Sequence, residues 1–344
     1  MMAQNPASCK SVSRWLWLCA GMVFVMALVG AMTRLTESGL SIAEWKPLIG
    51  ALPPLSEAEW SRVFAVYQQT PQFHDVNADM TLAGFKKIFW WEWGHRLLGR
   101  LIGLVFAVPL LWFAVTRQVR GAQLVKLFSI LALGGLQGGI GWFMVASGLI
   151  DRPSVSQYRL ALHLLMAVLL MGLLVWQALA FSDTRRFPQA PPFVRAQARF
   201  ALGMVLITTC WGALVAGLDA GLVYNEFPLM GGRFLPADAL HQSPWWLNFL
   251  ENPVGVQFLH RWLAVATTLV VLSLGFELMR SPNLTRRAGS LGKALLCVVL
   301  LQLGLGIATL LTQVNIILAT THQAGALLLT GLLVVVHYEL KGRA

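Results

Sequence analysis

The sequence predicts an all-α polytopic membrane protein: eight transmembrane helices forming two tandem four-helix bundles, related by a pseudo-two-fold axis along the membrane normal. Three observations carry this reading. Hydrophobic residues make up 57% of the 344-residue chain and charged residues only 12%, far from the balance of soluble domains. Eight apolar stretches match, or nearly match, the roughly 20 residues that cross about 30 Å of hydrocarbon as a helix. Sequence strings from the first half also recur in the second.

The elements follow in order. The first span, near residues 15–33, is preceded by Lys10 and Arg14 as a signal peptide would be. Its apolar run is too long for one and no clear cleavage site follows, so an uncleaved anchor is expected. A long outer loop, 34–89, comes next. Within it Ser56 and Glu59 have capping-box spacing, and Trp60, Val63, Phe64 and Tyr67 fall at i, i+3, i+4 and i+7. That pattern predicts an amphipathic helix on the outer surface, either a lid or a helix packed on the bundle. Trp90, Trp91 and Trp93 fit an interfacial aromatic belt. Further spans are expected near 90–115, 123–148 and 160–181, then, after a polar linker at 182–199 containing Pro188, Pro191 and Pro192, near 198–218, 255–278, 294–312 and 317–338.

Charge orients these spans. With a cytoplasmic N-terminus, inner segments carry fifteen Lys and Arg residues, from Lys10 to Arg343, against eight on the outer segments, from Arg34 to Arg233. This follows the positive-inside rule and places both termini in the cytoplasm. The net charge of +11 is therefore a topology signal, and nucleic-acid binding is a poor explanation of it. Cys9, Cys19, Cys210 and Cys297 are scattered and show neither a disulfide framework nor zinc spacing.

At an offset of 165 residues, Glu92-Trp93-Gly94-His95-Arg96 lies over Gln257-Phe258-Leu259-His260-Arg261, and Gly139-Ile140-Gly141 over Gly304-Leu305-Gly306. At an offset of 182, Gly39-Leu40, Glu44-Trp45 and Gly50 match Gly221-Leu222, Glu226-Phe227 and Gly232. Each half then holds four helices in the same orientation, the parallel type of repeat. The expected units are an N-terminal half, 1–181, a cytoplasmic linker, 182–199, and a C-terminal half, 200–344.

Four histidines occupy equivalent positions in this repeat: His95 and His163, then His260 and His322. Each is expected in the first turns of a helix running from outside to inside, so all four rings should lie near the outer face. Ionisable groups inside a membrane are costly and tend to be functional. Facing helices of a bundle can present two imidazoles across a flat macrocycle, and haem iron accepts an axial ligand on each side. Two haem sites are therefore expected. Gly134, Gly135, Gly138, Gly139, Gly141, Gly304 and Gly306 leave room for a porphyrin or for a packed helix. His74, His241 and His337 have no repeat partner and are expected in loops or at the inner surface. Arg96 and Arg261 follow their histidines near the outer interface, where arginine can pair with haem propionates or reach for lipid headgroups. The halves differ most at Glu92 against Gln257. A carboxylate three residues before His95 can move protons beside a haem pocket and an amide cannot, which makes the first half the reacting one; an ordinary interface carboxylate is the alternative.

The string Thr33-Arg34-Leu35-Thr36-Glu37-Ser38-Gly39-Leu40-Ser41, with Glu44-Trp45, resembles the first outer loop of haem A synthases of the proteobacterial and mitochondrial branch. So do Glu92 to Arg96, the repeat and the four histidines, over nearly the whole chain. Another branch carries a cysteine pair in the first outer loop, where none of the cysteines here lies. The resemblance implies oxidation of the C8 methyl of haem o to a formyl group, giving haem a for terminal oxidase assembly. By the same resemblance His95 and His163 flank the substrate haem, His260 and His322 ligate a haem b cofactor, and Glu92 is catalytic. It implies a cell inner membrane location, with haem o synthase and oxidase assembly factors as partners; a homo-oligomer is left open. A dihaem b-type electron carrier would need the same histidines and a haem transporter an exchangeable haem, but neither needs the difference between Glu92 and Gln257.

Overall fold

The structure is a computed structural model that describes residues 6–44, 49–148, 155–182 and 189–342. Trp45, Lys46, Arg152, Arg185, Arg186, Pro188, Arg343 and Ala344, all used in the sequence reading, lie outside the described residues. Among the described residues, eight helices are long and apolar enough to span a bilayer: α1 (Pro6–Leu35), α4 (Leu82–Val115), α5 (Gly121–Gly148), α6 (Gln157–Ser182), α7 (Pro192–Gly217), α8 (Pro253–Arg280), α9 (Arg286–Leu311) and α10 (Ile316–Leu340). The chain is an all-α, multi-pass membrane protein. Two shorter helices, α2 (Glu57–Tyr67) and α3 (Pro71–Val76), lie in the loop between α1 and α4 that the sequence reading places outside.

Helix starts follow local chemistry. Thr81, Thr285 and Asn315 cap α4, α9 and α10 by accepting hydrogen bonds from first-turn backbone amides, and Asn252 caps α8 with Pro253 at its first position. One expectation needs correction. The second span was expected to begin near residue 90, yet α4 starts eight residues earlier, so His95 is deep in the helix and outside its first turns. Its outer extension is amphipathic. Phe85 and Phe89 are buried against α2, with Trp60 edge-on to Phe89 at 4.9 Å between ring centroids. Tyr67 and Phe73 join the same cluster.

The capping box appears with one shift: Ser56 Oγ accepts from the Glu59 amide at 3.2 Å, while Glu59 accepts from Leu55 N at 2.7 Å.

The eight long helices pack as two closed rings. In the first, α1 touches α4 and α6, and α5 touches α4 and α6; in the second, α7 touches α8 and α10, and α9 touches α8 and α10. Each ring has its own apolar core, centred on residues such as Leu110, Leu127 and Leu174 in one and Leu274, Leu295 and Leu333 in the other. The rings meet through α1–α10, α6–α7 and α6–α10. A Cβ on Gly172 of α6 would touch Val334 of α10, and one on Gly331 of α10 would touch Met171 of α6. Each of these two helices thus offers the other a glycine, which lets them approach closely.

At one end of the bundle Ala190 N donates to Leu340 O at 3.1 Å, tying the linker to the end of α10. At the opposite end Arg34 bridges to Asp219 at 2.7 Å, an exposed pair of small energetic worth.

Candidate functional site

The ring order puts α4 diagonally across from α6, and α8 across from α10. His95 on α4 therefore faces His163 on α6, and His260 on α8 faces His322 on α10, each pair close enough to interact electrostatically. Diagonal helices leave a wider gap than neighbours do, which suits a group held between two side chains.

Each histidine also has a glycine opposite it on the helix that precedes it in the ring. A Cβ built on Gly30 of α1 would lie 3.3 Å from Nε2 of His95; one on Gly141 of α5 would lie 2.9 Å from Cε1 of His163. In the second half, Gly212 of α7 and Gly306 of α9 stand against His260 and His322 at 3.1 and 2.8 Å. A side chain at Gly141 or Gly306 would displace the imidazole, and one at Gly30 or Gly212 would crowd it. Sequence reasoning noted Gly141 and Gly306 but missed Gly30 and Gly212, although these are related by the same 182-residue offset as the outer loops.

Glu92 is buried, one helical turn before His95. Its carboxylate accepts from Ser41 Oγ and Ile42 N, both at 2.7 Å, and from Arg96 Nη2 at 2.6 Å. Arg96 Nη2 also donates to Ile42 O at 3.0 Å. Thus α4 grips the strand of outer loop that follows α1 by both its amide and its carbonyl. In the second half the same geometry is made without a carboxylate. Gln257 Nε2 donates to Tyr224 O at 3.0 Å, and Arg261 donates to the carbonyls of Tyr224, Glu226 and Leu229 at 2.7 to 3.2 Å. Both arginines are turned into the protein, so reaching for headgroups is not what they do.

The loop these residues hold is itself braced. Gln72 Nε2 donates to Glu37 O at 2.8 Å, and Tyr67 takes a 2.8 Å hydrogen bond from Asn77 while donating to Gln72 at 3.2 Å. Burial pushes the Tyr67 hydroxyl's pKa up, which keeps it a donor. Sequence reasoning named Ser41 within the family string but gave it no role, and missed Ile42 and Tyr224, because a contact between a loop and a distant helix leaves no periodic signal.

The donor set fits haem. Among the described residues no three His, Cys, Asp or Glu side chains converge as a metal cluster, whereas the histidines come in opposed pairs, the arrangement axial ligation uses. Nδ1 of His163, His260 and His322 is buried without a hydrogen-bond partner; such groups are rare unless they serve a ligand or a mechanism. Gln137 Nε2 donates to His163 O at 3.1 Å and stands 3.4 Å from His163 Nε2, and its repeat counterpart Gln302 packs against Gly325, three residues beyond His322. His74 is in α3, His241 lies between α7 and α8, and His337 is near the C-terminal end of α10, all away from these pairs.

Residues 13–334 match the COX15-CtaA family, described as "Cytochrome oxidase assembly protein". Among curated relatives, the "Heme A synthase" of Rhodospirillum centenum is 54% identical over 96% of this chain and 88% of its own length. That of Nitrosospira multiformis is 46% identical over 96% and 94%. That of Caulobacter vibrioides is 47% identical over 93% of each.

Proposed function

This chain belongs to the COX15-CtaA family of cytochrome oxidase assembly proteins, and from that premise we propose that it oxidises the C8 methyl group of haem o to a formyl group, the heme A synthase reaction. It is a membrane oxidoreductase of haem biosynthesis. The observation that carries the reading beyond family membership is the difference between the halves: a buried, triply hydrogen-bonded carboxylate at Glu92 against a neutral amide at Gln257.

In this proposal the halves are 1–181 and 200–344, joined by the linker 182–199. The first binds haem o between His95 and His163; the second holds haem b between His260 and His322. Haem b, when bound, supplies an electron relay. The protein does the rest. With oxygen taken from water, two successive two-electron hydroxylations of the methyl (CH3 + 2 H2O giving CH(OH)2 + 4 H+ + 4 e−) yield a gem-diol. The electrons pass out to an external one-electron acceptor, and loss of one water leaves the aldehyde. This oxidation releases protons, and Glu92 accepts them within a turn of His95. Arg96 and Ser41 hold that carboxylate in place, so no reorganisation is needed when a proton moves. Arg96 and Arg261 would be the residues to meet the propionates of a bound haem. Arg261 Nε, buried and without a partner, is available to donate to a carboxylate there. Outer-loop residues 41–42 and 224–229 close the sites against water. The protein lies in the cell inner membrane with both termini cytoplasmic, and haem o synthase and oxidase assembly factors are its expected partners.

Pigment extraction from the purified protein tests this. Haem b together with haem o and haem a is expected; a second haem b in place of haem o would make the chain a dihaem electron carrier instead.

A further inference from the structure

The proposed reaction asks different things of the two halves: haem o and haem a must enter and leave the first, while haem b stays in the second. Resting on that reading, we propose that the seam between α4 and α5 is the lateral passage through which the substrate macrocycle exchanges between the first half and the membrane.

The repeat makes the comparison residue by residue. The 165-residue offset runs through the inner turn without a gap, since α4 and α8 end at Val115 and Arg280, and α5 and α9 begin at Gly121 and Arg286. In the second half, Gly275 and Gly292 bring two backbones together. A Cβ on Gly292 would lie 2.6 Å from Gly275 O, and one on Gly275 would lie 3.1 Å from Gly292 O. Small residues permit such close approach and the dispersion contact that comes with it. The first-half counterparts are Leu110 and Leu127, both fully buried. Two leucines cannot share the space of two glycines, so they hold α4 and α5 apart. Pro109, beside Leu110, removes a backbone donor from α4 at the same level. The result is visible in the packing: α4–α5 is the most sparsely packed seam in either ring, and α8–α9 is among the tightest.

Towards the histidines the substitution runs the other way. Gly134 and Gly138 stand where the second half has the buried Val299 and the larger Leu303. Among the described residues, no atom of another element lies within 4 Å of a Cβ built at either glycine. With Gly141, which abuts His163, they form an i, i+4, i+7 stripe on one face of α5. The α4–α5 seam is thus wedged at its inner end and cut away beside the substrate pair. The α8–α9 seam is locked at its inner end and filled above it. A hydrophobic macrocycle dissolved in the bilayer meets an open seam in one half and a closed seam in the other.

The test moves the wedge, which lies far from the histidines, and reads uptake separately from chemistry. In the haem b-containing full-length protein, Leu110→Gly with Leu127→Gly should draw α5 towards α4. Haem o uptake should slow by about tenfold or more, the scale on which ~1.4 kcal/mol acts. Haem b content should be unchanged, and so should the single-turnover rate of haem o already bound. Normal uptake in a variant that keeps its haem b overturns the proposal. Should this variant lose haem b through misfolding, the converse pair decides. Gly275→Ala with Gly292→Ala forces methyl groups between α8 and α9, and exchange of haem b for added zinc protoporphyrin should accelerate about tenfold; unchanged exchange overturns the proposal. Wild-type protein that takes up haem o through this seam and never oxidises it would refute the synthase reading and leave the passage supported.

Discussion

Gly306 and His322 touch so closely that a Cβ on the glycine would lie 2.8 Å from Cε1 of the imidazole. The same relationship recurs at Gly212–His260, Gly141–His163 and Gly30–His95. A glycine on a neighbouring helix therefore sets each ring's position, and the histidine's own helix does not do so alone.

Gly306→Val should push His322 off its place and lose the haem b spectrum while leaving the protein folded. Overpacking of this kind typically costs about 1–3 kcal/mol, enough to displace a ring without unfolding eight helices. Gly203→Val on α7, where nothing lies within 4 Å of a Cβ, is the control and should keep its haem b. His260→Ala and His322→Ala should each lose the same spectrum. Visible absorption of the purified proteins checks all four, and a normal six-coordinate spectrum in both histidine variants would place the ligands elsewhere.

Glu92→Gln should keep haem b and accumulate haem o or a partly oxidised haem, with haem a falling by a factor of about a hundred to ten thousand, the range for loss of a general base. The amide nearly preserves shape, and Gln257 shows that an amide at this position still allows the outer loop to be held. Chromatography of extracted haems is the measurement. Near-normal haem a in this variant would reduce Glu92 to a loop clamp.

Ser41→Ala removes one of the three hydrogen bonds to Glu92 and leaves Ile42 N and Arg96 in place. Turnover should fall less than in Glu92→Gln, with haem b unchanged, and Ser41→Thr should restore it. Equal losses in the alanine and threonine variants would show that packing at this buried position matters and the hydroxyl does not.

Reporters placed after Leu340 and within α2 should lie on opposite sides of the membrane, because eight spans bring the chain back to the side where it began. The basic bias puts the first of these in the cytoplasm. Finding both reporters on one side would end the eight-span topology.

Trp60→Ala should loosen the outer loop without touching haem b. Trp60 is buried among Phe85, Phe89 and Trp90, and removing an aromatic of this size from a packed cluster typically costs about 3–5 kcal/mol. Faster proteolysis between residues 49 and 81 with an unchanged haem b spectrum is the expected result. Protection equal to that of the wild type would mean that α2 is held by other contacts.

Sequence legibility tracks how far a property reaches along the chain. The eight spans were readable because a bilayer demands long apolar helices that satisfy their own backbones, a requirement each segment meets locally. Their ends were less so: α4 runs out to Leu82 because Phe85 and Phe89 find partners on α2, and a hydropathy scan does not see partners. The outer helix at 57–67 was readable from its cap and its i, i+3, i+4, i+7 stripe, but whether it packs on α4 was not.

By itself, then, the sequence determined the membrane class, the span count, the repeat and the four histidines with Glu92 set against Gln257, all features carried by residue type and spacing along one chain. The tertiary structure alone decided which helices are neighbours and which are diagonal, and so supplied the geometry behind the histidine pairing that the repeat had already suggested. It also turned Arg96 and Arg261 onto the carbonyls of Ile42 and Tyr224 and set Leu110 and Leu127 where Gly275 and Gly292 meet in the other half. Those outcomes depend on the distance between two helix backbones, a quantity set by both surfaces at once and written in neither helix alone.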